Sequence, residues 1–366
     1  VLEHIRLGVN FGTFIGQSTI KRAITQGESR DLTDPELKMM GAVIREALED
    51  GALGLSTGLN FAHARQTPHK EIHELTKIIA RHGKVYATHL RDDHDEFERS
   101  IQETLAIAKT NDLKTVITHL RVYKGFEEKI YHGLQSLHTH WEKLHCRADV
   151  NPYTTYTFPI YELLPVWAKH GRLEDMLRLL KNRTHRESIR KTLVNLDVSA
   201  LQIVNAPHHL FIGKTVEEFA TNRGLDTIDG LIELMIGTNL RAQLSYNDIN
   251  EEQQLKLIDE PWTFIGSNTA SRARLDDALP STRVFELFLE HEKITKKPIE
   301  QSIKKITSIP AIFFNIKNRG VLKEGYYADL VVMQNAVNIE HVVINGKVAL
   351  NHRKLTPTRC GITLKE

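Results

Sequence analysis

Over the first two thirds of the chain, short apolar runs alternate with longer stretches in which apolar positions recur every three or four residues. The short runs read as strands and the long stretches as amphipathic helices. Asn10 to Ile15 predicts the first strand. Thr33-Asp34-Pro35-Glu36 is a capping-box pattern with proline in the first turn, and the helix behind it puts Leu37, Met40, Ile44, Ala47 and Leu48 on one face. Leu53 to Gly58 reads as a glycine-broken strand and turn. Thr67 and Pro68 open a helix with Ile72, Leu75, Ile78 and Ile79 inward, and Gly83 closes it. Strands follow at Val85–His89, Val116–His119 and Cys146–Val150, separated by helices through Phe97–Ala108 and around Leu134–Leu144. Strand, helix, strand, helix with short links is the pattern of a parallel sheet covered by helices.

The rhythm breaks between about Phe158 and Gly237. That stretch reads as a mostly helical insertion (Leu163 to Lys181, His185 to Leu196, Thr215 to Arg223, Ile228 to Ile236). Trp262 to Asn268 restores a strand with a polar tip, and helices around Val284–His291 and Ile299–Thr307 follow. The tail changes character. Gly320 to Met333 gives a turn and a strand, and His341 to Leu350 reads as a hairpin about Asn345-Gly346. The expected plan is one α/β unit over 1–318, with the insertion at about 158–237, and a small β-sandwich-like unit over 319–366.

Two of the strands end on one script. Tyr86-Ala87-Thr88-His89-Leu90-Arg91 is repeated thirty positions on as Val116-Ile117-Thr118-His119-Leu120-Arg121. A strand, a helix and two links need about that length, so the spacing places each histidine at a strand's carboxyl end, one βα unit apart. In a parallel barrel that end carries the chemistry. Two imidazoles on one rim can share a metal ion; the alternative is two buried histidines satisfied by polar neighbours. The net charge of +2 gives no reason to expect nucleic acid or a membrane surface as partner. The 2 cysteines, Cys146 and Cys360, give no disulfide framework. With no apolar run long enough to span a bilayer and no signal peptide, a cytoplasmic location is the default expectation. Gly213-Lys214-Thr215 looks like the end of a phosphate-binding loop, but His208 stands where its first glycine belongs.

Taken in order, several further motifs resemble the D-aminoacylase (N-acyl-D-amino-acid deacylase) branch of the amidohydrolase superfamily. They are Glu46 to Leu59, Tyr86 to Asp92, Ile117 to Arg121, Asn151-Pro152-Tyr153, Leu164-Pro165-Val166-Trp167, Ala206-Pro207-His208, Pro261 to Ser267, Gly325 to Val332 and Val343 to Gly346. The resemblance implies a (β/α)8 TIM-like barrel with an insertion, a small β-domain drawn from both chain ends, and zinc-dependent hydrolysis of the amide of an N-acyl-D-amino acid. It puts metal ligands at His89 and His119. It also implies a substrate-facing cation at Arg121, where the family usually has lysine, and a carboxylate-binding arginine at Arg274 or Arg272. Tyr153 would donate to the scissile carbonyl, and Phe61 stands where a substrate-facing tyrosine is usual. For each of these an ordinary structural role is the alternative.

Two departures stand out. The family opens its barrel with a His-x-His pair and a further cysteine ligand, and no such pair precedes residue 53; His138-Thr139-His140 lies in a predicted helix. About six of eight barrel strands are counted, so the expected fold is an incomplete barrel entered near its third strand. The second departure is Asn268, which follows Ile265-Gly266-Ser267 where the family has its proton-shuttling aspartate. An amide does not titrate near neutral pH, and losing general acid–base help costs about 10²–10⁴-fold. The sequence therefore predicts partial zinc binding through His89 and His119 and negligible turnover. Two other readings are a degenerate or truncated member kept as a binding protein or decaying gene product, and a related enzyme acting on a cyclic amide. The motifs around Trp167 and Pro207 favour the D-aminoacylase branch over the latter.

Overall fold

The computed structural model describes residues 5–28, 30–169, 171–194, 197–268, 283–335 and 338–365. Six strands form one parallel sheet: β1 (Ile15–Gly16), β2 (Gly54–Gly58), β3 (Val85–His89), β4 (Thr115–Ile117), β5 (Cys146–Val150) and β9 (Thr263–Ile265). They pair in that order, and β9 lies beside β5. Among the described residues no strand links β9 back to β1, so the barrel is open on that side. The six strands and open barrel agree with the count from sequence.

Local chemistry explains the elements. Thr33 and Glu36 cap the Asp34–Glu49 helix reciprocally, with the Glu36 carboxylate accepting from Thr33 N–H at 2.8 Å. Such a cap contributes about 1 kcal/mol. The helix then buries Met40, Ile44 and Leu48 against Leu55 and Tyr86 on the outer face of the sheet, each worth about 1.5–3 kcal/mol of removed apolar surface. Alternation puts Val85, Ala87, Val116 and Phe264 on the opposite, inner face, where they meet Phe313. Gly54 approaches so closely that a side chain there would lie 1.7 Å from Val85 O, at φ 153°. Only glycine permits β2 and β3 to begin at this spacing.

In the segment after β5 three of the four expected helices are present, at Arg183–Leu193, Val216–Thr221 and Thr227–Gly237, but the mostly helical reading misses a sheet. This sheet is three-stranded and antiparallel, β6 (Tyr156–Pro159), β7 (Gln202–Asn205) and β8 (Gln243–Tyr246), with β8 in the middle. The single helix expected over Leu163–Lys181 is instead two 3₁₀ turns, Ile160–Leu163 and Val166–Ala168, followed by a helix at Leu173–Lys181. Pro165 holds Leu164 extended (φ −64°, ψ 146°) and stops a continuous helix there. The expected strand over Asn10–Ile15 shrinks to β1, because the preceding residues pair elsewhere: Leu7 bridges Gly361 and Phe11 bridges Thr363. Near the end, β10 (Leu330–Gln334), β11 (Asn338–Ile344), β12 (Lys347–Asn351) and β13 (Lys354–Leu355) form an antiparallel sheet with its hairpin at Asn345-Gly346. Both cysteines are free and buried. No helix among the described residues is long and apolar enough to cross a membrane.

Candidate active site

His89 is the last residue of β3 and continues the inward set of Val85 and Ala87. His119 arrives differently. It lies two residues beyond β4, and simple alternation would give it the outward side of Thr115 and Ile117. A left-handed backbone (φ 41°) at His119 breaks the alternation. The two rings meet edge to face with centroids 4.3 Å apart. Burial first, and then the charges of His89 and Arg121, hold the His119 pKa well below its usual value. That ring is therefore a neutral imidazole with a lone pair, the form that binds a metal.

Asp93 organises the His89 side. His89 Nε2 lies 3.4 Å from Asp93 Oδ2, His94 Nδ1 donates to Oδ1 at 2.8 Å, and the Tyr123 hydroxyl donates to Oδ2 at 2.9 Å. Burial alone would raise the Asp93 pKa, but the hydrogen bonds from His89 and His94 outweigh it and hold the carboxyl well below the ordinary range. An ionised carboxylate only accepts, so the His89 proton belongs on Nε2 and the lone pair on Nδ1. His89 Nδ1 is buried with no hydrogen-bond partner. A carboxylate behind one ring nitrogen and an open lone pair on the other is how ligand histidines are commonly held.

On the His119 side the corresponding group is Asp149, on the inner face of β5. The backbone N–H of His119 donates to its carboxylate, and burial raises its pKa to about 6. Its own carbonyl accepts from Leu120 N–H at 2.9 Å. Together these bonds fix the turn that aims His119. Arg121 is packed over the Tyr156 ring at 5.1 Å and donates to the Tyr123 hydroxyl at 3.4 Å. No carboxylate pairs with it among the described residues. Phe61 stands edge-on to His89 at 5.7 Å.

No hydrogen bond or ring contact among the described residues joins the remaining described candidates, Tyr153 and Asn268, to either histidine. Burial raises the Tyr153 pKa, and the charges acting on it come from Arg283 and Glu286. Asn268 is exposed in left-handed backbone (φ 49°) past β9. Arg274 and Arg272 lie outside the described residues. Asp93, Tyr123 and Asp149 were not singled out from sequence. The Asp92-Asp93-His94 run directly after the first script was a usable signal, whereas nothing local marks Asp149.

The chain as a whole is similar to known proteins. Residues 265–349 match the amidohydrolase family. The chain is 26% identical to a D-aminoacylase of Alcaligenes xylosoxydans xylosoxydans across 97% of its own length and 70% of the relative's. The chain is similar to the D-aminoacylases among the amidohydrolases. It is 25% identical to an N-acyl-D-aspartate deacylase of the same organism, covering 90% of this chain and 60% of that one. The chain thus spans between three fifths and seven tenths of these proteins' lengths. The fold is shared with N-acyl-D-glutamate deacylase from Bordetella bronchiseptica, solved with zinc and a phosphonate inhibitor. That structure has TM-score 0.80 and 20% identity, covering 98% of this chain and 72% of that chain.

The family implies a divalent metal, and His89 and His119 suit one: Nδ1 of the first is an orphaned buried nitrogen and the second is neutral. Among the described residues no group of three or more His, Cys, Asp or Glu is arranged as a metal-binding set. The pair therefore fits two corners of a site, not a closed one.

Proposed function

We propose that this D-aminoacylase-family chain hydrolyses the amide bond of N-acyl-D-amino acids, with a zinc ion between His89 and His119. The observation that carries the reading is the buried imidazole pair, one ring neutral and the other with an unsatisfied Nδ1, beside the Arg121 guanidinium, whose charge is favoured by Asp93. When bound, the metal polarises the amide carbonyl and eases deprotonation of the attacking water.

The chain's own residues do the rest. Asp93 keeps the proton of His89 on Nε2 and so directs Nδ1 to the ion. Asp149 anchors the backbone of His119. Arg121, held over the Tyr156 ring, is suited to the carboxylate of the amino acid, because a planar guanidinium can offer two parallel donors. The phenyl ring of Phe61 closes the His89 side without supplying a hydroxyl.

The test is hydrolysis of N-acetyl-D-amino acids by zinc-loaded protein, with the L-enantiomers and His119→Ala as controls. Turnover of D substrates that disappears in the variant supports the assignment. Turnover indifferent to His119, or selective for L substrates, refutes it. A second reading, ligand binding without catalysis, is favoured by Asn268, which cannot relay a proton. Calorimetric binding of N-acetyl-D-amino acids without product formation distinguishes it.

A further inference from the structure

An aspartate past the ninth strand would have been the proton carrier, and Asn268 cannot take that part. A different carboxylate lies largely buried in the insertion. Glu162 lies in the 3₁₀ turn Ile160–Leu163, just beyond β6, and is the only acidic residue of 160–168. Its Oε1 is buried with no hydrogen-bond partner. Its Oε2 lies 3.6 Å from Lys169 Nζ, and Lys169 also donates to the Glu162 carbonyl at 2.8 Å. The ammonium thus holds one oxygen and leaves the other open. Lys169 shares the wall of a cavity of about 320 Å³ with Asn60 and Arg65. Asn60 lies 3.4 Å from His89 Nε2. The charges of both His89 and Asp93 act on the Glu162 carboxylate.

A buried carboxylate oxygen without a donor is costly. Such groups in native folds commonly serve function. Burial, the largest influence, raises the Glu162 pKa, as suits a group that both takes and returns a proton.

We propose that Glu162 is the acid–base carboxylate of this site, a role that rests on the amidohydrolase reading above. Glu162 takes one proton from the attacking water as the water oxygen bonds to the amide carbonyl carbon. It then gives that proton to the amide nitrogen as the C–N bond breaks. The water oxygen and its other hydrogen remain on the released acid, the amine leaves neutral, and Glu162 ends ionised as it began. Nothing beyond water and substrate is consumed.

The experiment compares zinc-loaded parent protein, Glu162→Gln, Glu162→Asp, Asn268→Asp and the double variant Glu162→Gln/Asn268→Asp. Each is read by kcat, KM, zinc content and urea unfolding. Glu162→Gln changes one atom and is expected to keep its zinc, fold and KM while kcat falls about 100-fold or more. Glu162→Asp retains part of the rate. In the double variant a carboxylate at the strand tip restores about tenfold or more of the loss, a larger gain than Asn268→Asp brings in the parent; equal gains in the two backgrounds mark a merely structural role and overturn the inference. Unchanged kcat in Glu162→Gln overturns this inference and leaves the proposed function standing. Loss of zinc together with activity, or no recovery in the double variant, also overturns it. If the parent is inactive and Asn268→Asp gains turnover, Glu162 does not carry the proton although the substrate assignment holds. Absence of turnover in both parent and Asn268→Asp overturns the two together.

Discussion

Replacing Gly266 with alanine puts one methyl group against the group that aims His119. A Cβ at Gly266 would lie 2.5 Å from Asp149 Oδ2 and 2.8 Å from its Cγ, where ordinary contact begins at 3.4 Å, so the carboxylate must retreat about 0.9 Å. It is not free to do so, since it accepts the His119 N–H while its own carbonyl accepts from Leu120. Overpacking of this kind costs about 1–3 kcal/mol of stability. Disturbing the partner of a metal ligand typically weakens metal binding about 10- to 100-fold. Gly230→Ala is the matched control: its Cβ would lie 2.3 Å from Ala220 Cβ, a clash of similar severity within the insertion. Zinc affinity by competition with a chelating dye and stability by urea unfolding are measured on both variants. Both are expected to lose stability, and only Gly266→Ala to lose zinc affinity. Parent-like affinity in Gly266→Ala, or an equal loss in Gly230→Ala, refutes the claim that Asp149 transmits the strain to His119.

Three further outcomes are expected. Arg121→Met should raise KM for N-acyl-D-amino acids about tenfold or more, the worth of a charged hydrogen bond, with zinc content retained; steady-state kinetics at fixed zinc checks it, and an unchanged KM removes Arg121 from the substrate's carboxylate. In chelator-treated protein Asp149, with a folded pKa raised from 3.8 to about 6, keeps a proton that the unfolded chain has released. Stability from this group is therefore full below about pH 4 and falls as pH rises toward 6, by at most about 3 kcal/mol; urea unfolding against pH should show that slope in the parent and not in Asp149→Asn, and parallel curves contradict it. Gly54→Ala should prevent β2 from pairing with β3, since its Cβ would lie 1.7 Å from Val85 O; a soluble variant with parent-like circular dichroism and thermal midpoint would show that the strands can part.

Most of the parallel strands were legible because they are short runs between amphipathic helices, and periodicity reports such elements directly, whereas β1 keeps only the end of its expected range. Cys146–Val150 falls on its expected limits and the hairpin turns at Asn345-Gly346, where the backbone takes the left-handed form those residues tolerate. The antiparallel strands of the insertion were not legible. Tyr156–Pro159, Gln202–Asn205 and Gln243–Tyr246 are four residues each and lie more than thirty-five positions from one another. Their pairing is a property of contacts across the chain, and local pattern does not encode it.

The same division runs through the site. Sequence alone determined the family resemblance, the two histidine scripts and the strand ends on which they fall, because local pattern and spacing carry all three. It presented His89 and His119 as equivalents, and they are not. Tertiary structure decided that His89 enters by strand alternation and His119 through a left-handed turn. It also decided that Asp93 and Asp149 stand behind them and that Glu162 Oε1 is buried without a hydrogen-bond partner. Those groups come from four separate segments, and the field and hydrogen bonding that set their proton states exist only once the chain has brought them together out of water.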